Sequence, residues 1–263
     1  MTRPTVPVMP HRAVDQADGL RRRFGHATRV HVPLVANSQV KAVPALLERV
    51  STCFTMAGHT TLLVDAASQS PAPGELSFLE LGACVERLDD RTRYLPARGL
   101  IRGFVDSRGS AARMLDALAD AAPDARVVLV HGDASDLARV FAGQDVQPIL
   151  LGGESALALQ EAYAGAKILS SRAGLMNFDL VLSARPQGAR AAAVTEALNQ
   201  CMDRFLGALL RQWACIDPAG RVSDEPPATL VDMLAWQLRA RWAAPVPRVG
   251  LPGGTTAGLG ARP

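Results

Sequence analysis

From Thr28 onward, short apolar runs alternate with longer stretches in which apolar residues recur every three or four positions. Short runs of this kind mark strands buried on both faces, and the longer stretches mark amphipathic helices. Arg29–Ala36 (RVHVPLVA) and Thr60–Asp65 (TTLLVD) predict strands around a helix from about Val43 to Ala57, closed by Gly58. Arg126–His131, Gln147–Leu151, Phe178–Ser183 and Leu209–Ile216 predict further strands, with helices over Ser135–Ala142, Ser155–Ser171 and Arg190–Phe205 between them. A helix is also expected near Glu75–Glu86, followed by extended pieces at Arg93–Pro96 and Leu100–Val105. Ser110–Ala121 predicts another helix, with Ser110 as its cap and Pro123 beyond its end. Apolar strands alternating with full-length helices imply an α/β fold, a doubly wound and mostly parallel sheet covered on both faces.

The two ends break this pattern. Met1–Val14 is Pro-rich without apolar periodicity, and Asp15–Phe24 predicts one or two helical turns capped by Asp15, with Gly25 behind them. Asp217–Pro227 is a polar linker, Ala228–Ala243 is helical, and Pro245–Pro263 is a Gly/Pro-rich tail expected to be disordered. The expected organisation is therefore a flexible arm (1–27), an α/β domain (28–217), a linker with a C-terminal helix (218–244) and a tail (245–263). In that last helix Leu230, Leu234, Leu238 and Trp242 form one stripe. The stripe could dock on the domain or lie at a bilayer surface, and both readings stay open at this point.

Composition narrows the class. With 263 residues, 48% hydrophobic and 20% charged, and a mean hydropathy of +0.10, the chain holds ample material for a core. No apolar stretch reaches the ~18 residues of a membrane span. No apolar run follows the N-terminal arginines, so a secretory signal is not expected. Cys53, Cys84, Cys201 and Cys215 are widely spaced and are expected to be reduced core thiols of a cytoplasmic protein; no metal site is expected. Net charge is +3, but residues 1–30 carry six Arg against two Asp. A basic arm of this kind suits phosphates, acidic lipid or plain solvation.

The first strand-to-helix loop of a doubly wound sheet is the natural phosphate site, and it normally needs glycines. Here it runs Asn37-Ser38-Gln39-Val40-Lys41-Ala42-Val43-Pro44, without a glycine and with Ala42 after the only lysine. The surrounding sequence nevertheless resembles the MinD/ParA branch of P-loop ATPases, and within it the FlhG/FleN/YlxH regulators of flagellar number. MAGHTTLLVDA (Met56–Ala66) resembles the family's second strand, and GGESALALQEAYAGAKIL (Gly152–Leu169) resembles its PEPTSLTDAYALIK segment. DQADGLR (Asp15–Arg21) is similar to the DQAxxLR motif ahead of the ATPase domain in flagellar members.

The resemblance implies a MinD/ParA-like P-loop fold, and it also shows what has changed. Aligned on Gly58 and Asp65, the family's signature lysine falls on Ser38, its phosphate lysine on Val43 and its magnesium-binding hydroxyl on Pro44. Its second-strand Asp-Ala-Asp becomes Asp65-Ala66-Ala67, its next strand-end carboxylate falls near His131, and its adenine-side Asn near Ser183. Such losses predict a pseudo-ATPase without a cofactor and without an ATP-dependent dimer. His131 could still serve as a base or be structural, and Lys41 could still meet an anion. The resemblance further implies a partner, the signal-recognition-particle-type GTPase FlhF. The arm would reach it through Asp15, Gln16, Leu20, Arg21 and Phe24, with Gln16 orienting water in the partner's site. The expected protein is a non-catalytic flagellar regulator, cytoplasmic or peripheral at the inner membrane, with no nucleic acid partner. Alternatives are an active nucleotide hydrolase with a remodelled loop and a nucleic-acid or partition adaptor using the Arg-rich arm.

Overall fold

The computed structural model describes residues 29–73, 80–186, 188–220 and 225–242. Asp15, Gln16, Leu20, Arg21 and Phe24 lie outside the described residues, as does the 245–263 tail. The strands are β1 (Val30–Val35), β2 (Thr61–Asp65), β3 (Glu86–Arg87), β4 (Thr92–Pro96), β5 (Val127–Gly132), β6 (Ile149–Gly153), β7 (Asn177–Ser183) and β8 (Leu209–Ile216). The helices are α1 (Val43–Met56), α2 (Leu100–Gly103), α3 (Arg113–Ala121), α4 (Ala134–Phe141), α5 (Ala156–Ala173), α6 (Ala189–Leu206) and α7 (Ala228–Trp242).

The strands form one sheet in the order β3-β4-β2-β5-β1-β6-β7-β8, parallel except for the β3–β4 pair. β1 runs through the centre, aligned from Val30 beside Val127 to Val35 beside Gly132, with β6 on its other side. Both faces are covered, as the apolar runs of β1, β2 and β5 require. On one face Leu34, Leu63 and Leu129 pack under α1 and α7. On the other, Val64, Val130 and Leu180 pack under α2 to α6. Gly152 is demanded by this packing: a Cβ there would lie 2.9 Å from Leu182 Cδ2. The doubly wound, mostly parallel α/β fold is present.

Several local expectations need correction. Of the helix expected near Glu75–Glu86, residues 75–79 lie outside the described residues. The rest is a single 3-10 turn, Leu81–Cys84, followed by β3, which pairs antiparallel with β4. Leu100–Val105 is not extended but starts as α2, because Gly99 at φ +77 turns the chain into a helix. Ser110 is not the cap residue; its hydroxyl accepts the amide of Ala112, the residue just ahead of α3, which begins at Arg113. The thiols do not all lie in the core: Cys53 and Cys215 are buried, Cys84 is half-buried and Cys201 is exposed.

Three residues of the C-terminal stripe dock, while the side chain of Trp242 lies outside the described residues. Leu230, Met233, Leu234 and Leu238 are buried against α1 and the sheet, so they are not available to a bilayer in this structure. Among the described residues no helix is long and apolar enough to cross a membrane.

Candidate functional site

After β1 the chain turns to α1 on one face, and after the neighbouring β5 it turns to α4 on the opposite face. Two adjacent strands whose connections diverge leave a crevice at their carboxyl ends, the general ligand position in open α/β sheets. A cleft of about 420 Å³ opens there. It gathers Ser38, Lys41, Val43 and Pro44 from the β1–α1 segment with Asp65 of β2 and His131 of β5. These six sequence candidates of the nucleotide site thus share one cavity, which Ser183 does not line.

The β1–α1 loop is held by side chains rather than by a glycine wrap. Asn37 is buried; its Nδ2 donates to the carbonyls of Leu151 (2.9 Å) and Ala158 (2.8 Å), and its Oδ1 accepts the Gln39 amide (3.1 Å). Ser38 then donates both its backbone N–H and its hydroxyl to the two carboxylate oxygens of Glu161 on α5, each at 2.7 Å. A protein carboxylate is therefore seated on the loop's own donors. Lys41 is exposed at the rim. α1 starts at Ala42 without a side-chain cap, and Pro44 in its first turn removes one of the free amides a helix N-terminus offers.

Asp65 is the hub of the cleft floor. Its Oδ1 accepts from the Ser70 hydroxyl and meets His131 Nδ1 at 2.6 Å, while its Oδ2 accepts from the Tyr94 hydroxyl at 3.2 Å. Burial alone would push this carboxyl up, but the bonds from His131, Ser70 and Tyr94 hold it below its ordinary value. The same surroundings push the Tyr94 phenol up, through burial and the Asp65 charge. With three protein donors, Asp65 is a brace tying β2, β4, β5 and the following loop together. His131 is buried as well, and its Nε2 has no hydrogen-bond partner.

Sequence reasoning missed two carboxylates. Asp133 lies two residues beyond His131, half-buried in the cleft wall, and accepts only long bonds from the Ser68 amide (3.4 Å) and hydroxyl (3.3 Å). Asp133 and His131 thus both line the cleft, two residues apart at the end of β5. Glu161 sat inside the GGESALALQEAYAGAKIL segment, yet nothing in the sequence tied it to Ser38. Ser70, Tyr94 and Asn37 gave no signal beyond being polar residues near strand ends.

No family model and no curated protein sequence matches the chain. Solved structures do. Cobyrinic acid a,c-diamide synthase from Mycobacterium smegmatis with bound ADP and magnesium is similar at TM-score 0.59 and 16% identity, over 81% of this chain and 96% of that one. A chain of the MinC:MinD cell division protein complex from Aquifex aeolicus gives 0.53 at 13% identity, over 83% and 97%. A plasmid partition protein from Borrelia burgdorferi gives 0.56 at 10% identity, over 80% and 100%. At such identities the likeness is one of fold, and the fold is that of the MinD/ParA P-loop α/β proteins.

Proposed function

We propose that the chain is a non-hydrolysing regulator on a MinD/ParA fold, acting on flagellar number or placement by protein contact. The observation that carries the non-catalytic half of this reading is the Glu161 carboxylate on Ser38. It places negative charge on the very donors a phosphate would need, in a loop without glycine. Val43 and Pro44 add no cation and no hydroxyl, and Asp65 is already engaged by three side chains. These residues do not fit a magnesium nucleotide.

The contact half rests on the Asp15–Arg21 resemblance. In this reading Leu20 and Phe24 are apolar anchors and Asp15 and Arg21 fix the register on a GTPase of the FlhF type. Gln16 would orient the attacking water in the partner's site. The test is a single-turnover GTPase assay with the partner and a peptide covering residues 10–26. Acceleration that is lost in Gln16→Ala with binding retained supports the reading; a peptide that neither binds nor accelerates overturns it.

Asp133 favours a second reading, a nucleotide hydrolase with a remodelled loop, because it is the least engaged carboxylate of the cleft. Calorimetry with magnesium-ATP and ADP separates the two. No binding tighter than millimolar is expected; micromolar binding that weakens in Asp133→Asn would establish the hydrolase reading instead.

A further inference from the structure

On the face covered by α2 to α6, a cavity of about 320 Å³ opens where the 106–110 turn meets α4 and the end of α5. Arg108, Arg139 and Arg172 line it, with Ser110 and Ser135. Each arginine comes from a different element, so tertiary structure brings three exposed arginines to the lining of one cavity. The turn is firmly held. Asp106 Oδ1 accepts the amides of Arg108 and Ser110, each at 2.9 Å, and the Ala111 amide donates to the Arg139 carbonyl at 2.9 Å. Arg139 Nη1 reaches back to the Gly109 carbonyl at 3.4 Å.

The neighbouring acids do not neutralise this cluster. Asp106 faces its own turn's amides, and Asp136 on α4 faces Arg102 at 3.9 Å. Among the described residues no carboxylate lies within ion-pair distance of Arg108, Arg139 or Arg172. Cations converging on one cavity without a counter-charge repel one another, and a bound anion relieves that repulsion. Guanidinium forks match phosphate oxygens in geometry, and serine hydroxyls can donate to the remaining ones.

We propose that this cavity binds a phosphate group, carried by a small phosphorylated molecule or by a lipid headgroup. Its volume suits the former. The site is independent of the nucleotide-type cleft and of the arm's role.

The test titrates the full chain with inorganic pyrophosphate at low salt. Saturable one-to-one binding is expected, weakened about tenfold or more by Arg139→Ala or Arg172→Ala and less by Arg139→Lys. Arg190→Ala, an exposed arginine on α6, should leave it unchanged. Sedimentation with phosphatidylcholine vesicles, with and without phosphatidic acid, decides the source: binding to the acidic vesicles that is lost in the same variants supports the site and places the phosphate on a lipid. Absence of saturable binding to either probe overturns the proposal. So does binding that the Arg139 and Arg172 variants leave intact, or a chain that takes duplex DNA with steep salt dependence but no pyrophosphate.

Discussion

Asp65 and Asp179 are both buried acids, and their neighbours push them in opposite directions. Asp179, in β7, is fully buried and accepts from Gln147 Nε2 (2.7 Å) and from Gln237 Nε2 on α7 (2.8 Å). Burial raises it to about 6, although both amides and the Arg211 charge on β8 favour the anion. The native state then holds this proton up to about pH 6, while the unfolded chain releases it near the ordinary carboxyl value of 3.8. Native binds more protons than unfolded in that window, so the contribution of Asp179 to stability is fully present below pH 4. It is lost as pH rises through 6. Thermal melts should show the difference between wild type and Asp179→Asn changing between pH 4 and 6 and levelling off above about 6.5. Asp65 has the opposite sign: its contribution is present above its unfolded value and lost on acidification through its lowered native value. Asp65→Asn should therefore cost most at neutral pH, by about 1–3 kcal/mol in urea denaturation, and progressively less toward pH 3. What was legible at this scale was position along the strands. Ser38, Lys41, Val43, Pro44, Asp65 and His131 share a cleft because strand ends in a parallel sheet share an edge. Glu161 was not legible, since it meets Ser38 across 123 residues of sequence.

Elements with long apolar runs or sustained helical spacing were predicted almost to their boundaries, as at β5, α5 and α6. Failures fell on short pieces, where one residue outweighs the pattern. Gly99 converts an apolar run into α2, and β3 exists only because its two residues can pair with β4. The last helix was found, but what it covers was not. Stripe spacing is the same for a helix that docks and one that lies on lipid, and only the exposed face of β6 to β8 decides between them. Truncation within α7 should register as core loss. Leu230→Ala or Leu234→Ala is expected to cost about 2–4 kcal/mol in denaturant unfolding, whereas Val231→Ala, on the 44% exposed side, should stay within about 0.5. If the Leu variants instead leave stability unchanged and abolish vesicle binding, the docked helix is not the solution state.

At the scale of the whole molecule, the described residues form two apolar clusters back to back on one sheet, and in the sequence a Pro-rich start and Gly25 set residues 1–24 apart from the first strand. Deleting residues 1–24 should therefore leave the calorimetric melting temperature nearly unchanged, which separates any loss of partner stimulation from loss of fold. The sheet order carries a consequence for biosynthesis. β1 is made first and sits in the middle, yet both its neighbours come late, with Val30 beside Val127 and Leu34 beside Ile149. At about 5–20 residues per second, roughly 5–20 s of translation separates the emergence of β1 from that of β5. Throughout that interval a strand that is apolar but for His31 has neither ladder nor cover except α1, and unpaired edges of this kind invite aggregation. Ribosome-bound chains ending before residue 127 should thus be protease-sensitive throughout and recruit a holdase, while chains that have released β6 should protect the segment from β1 to β2 in a single step.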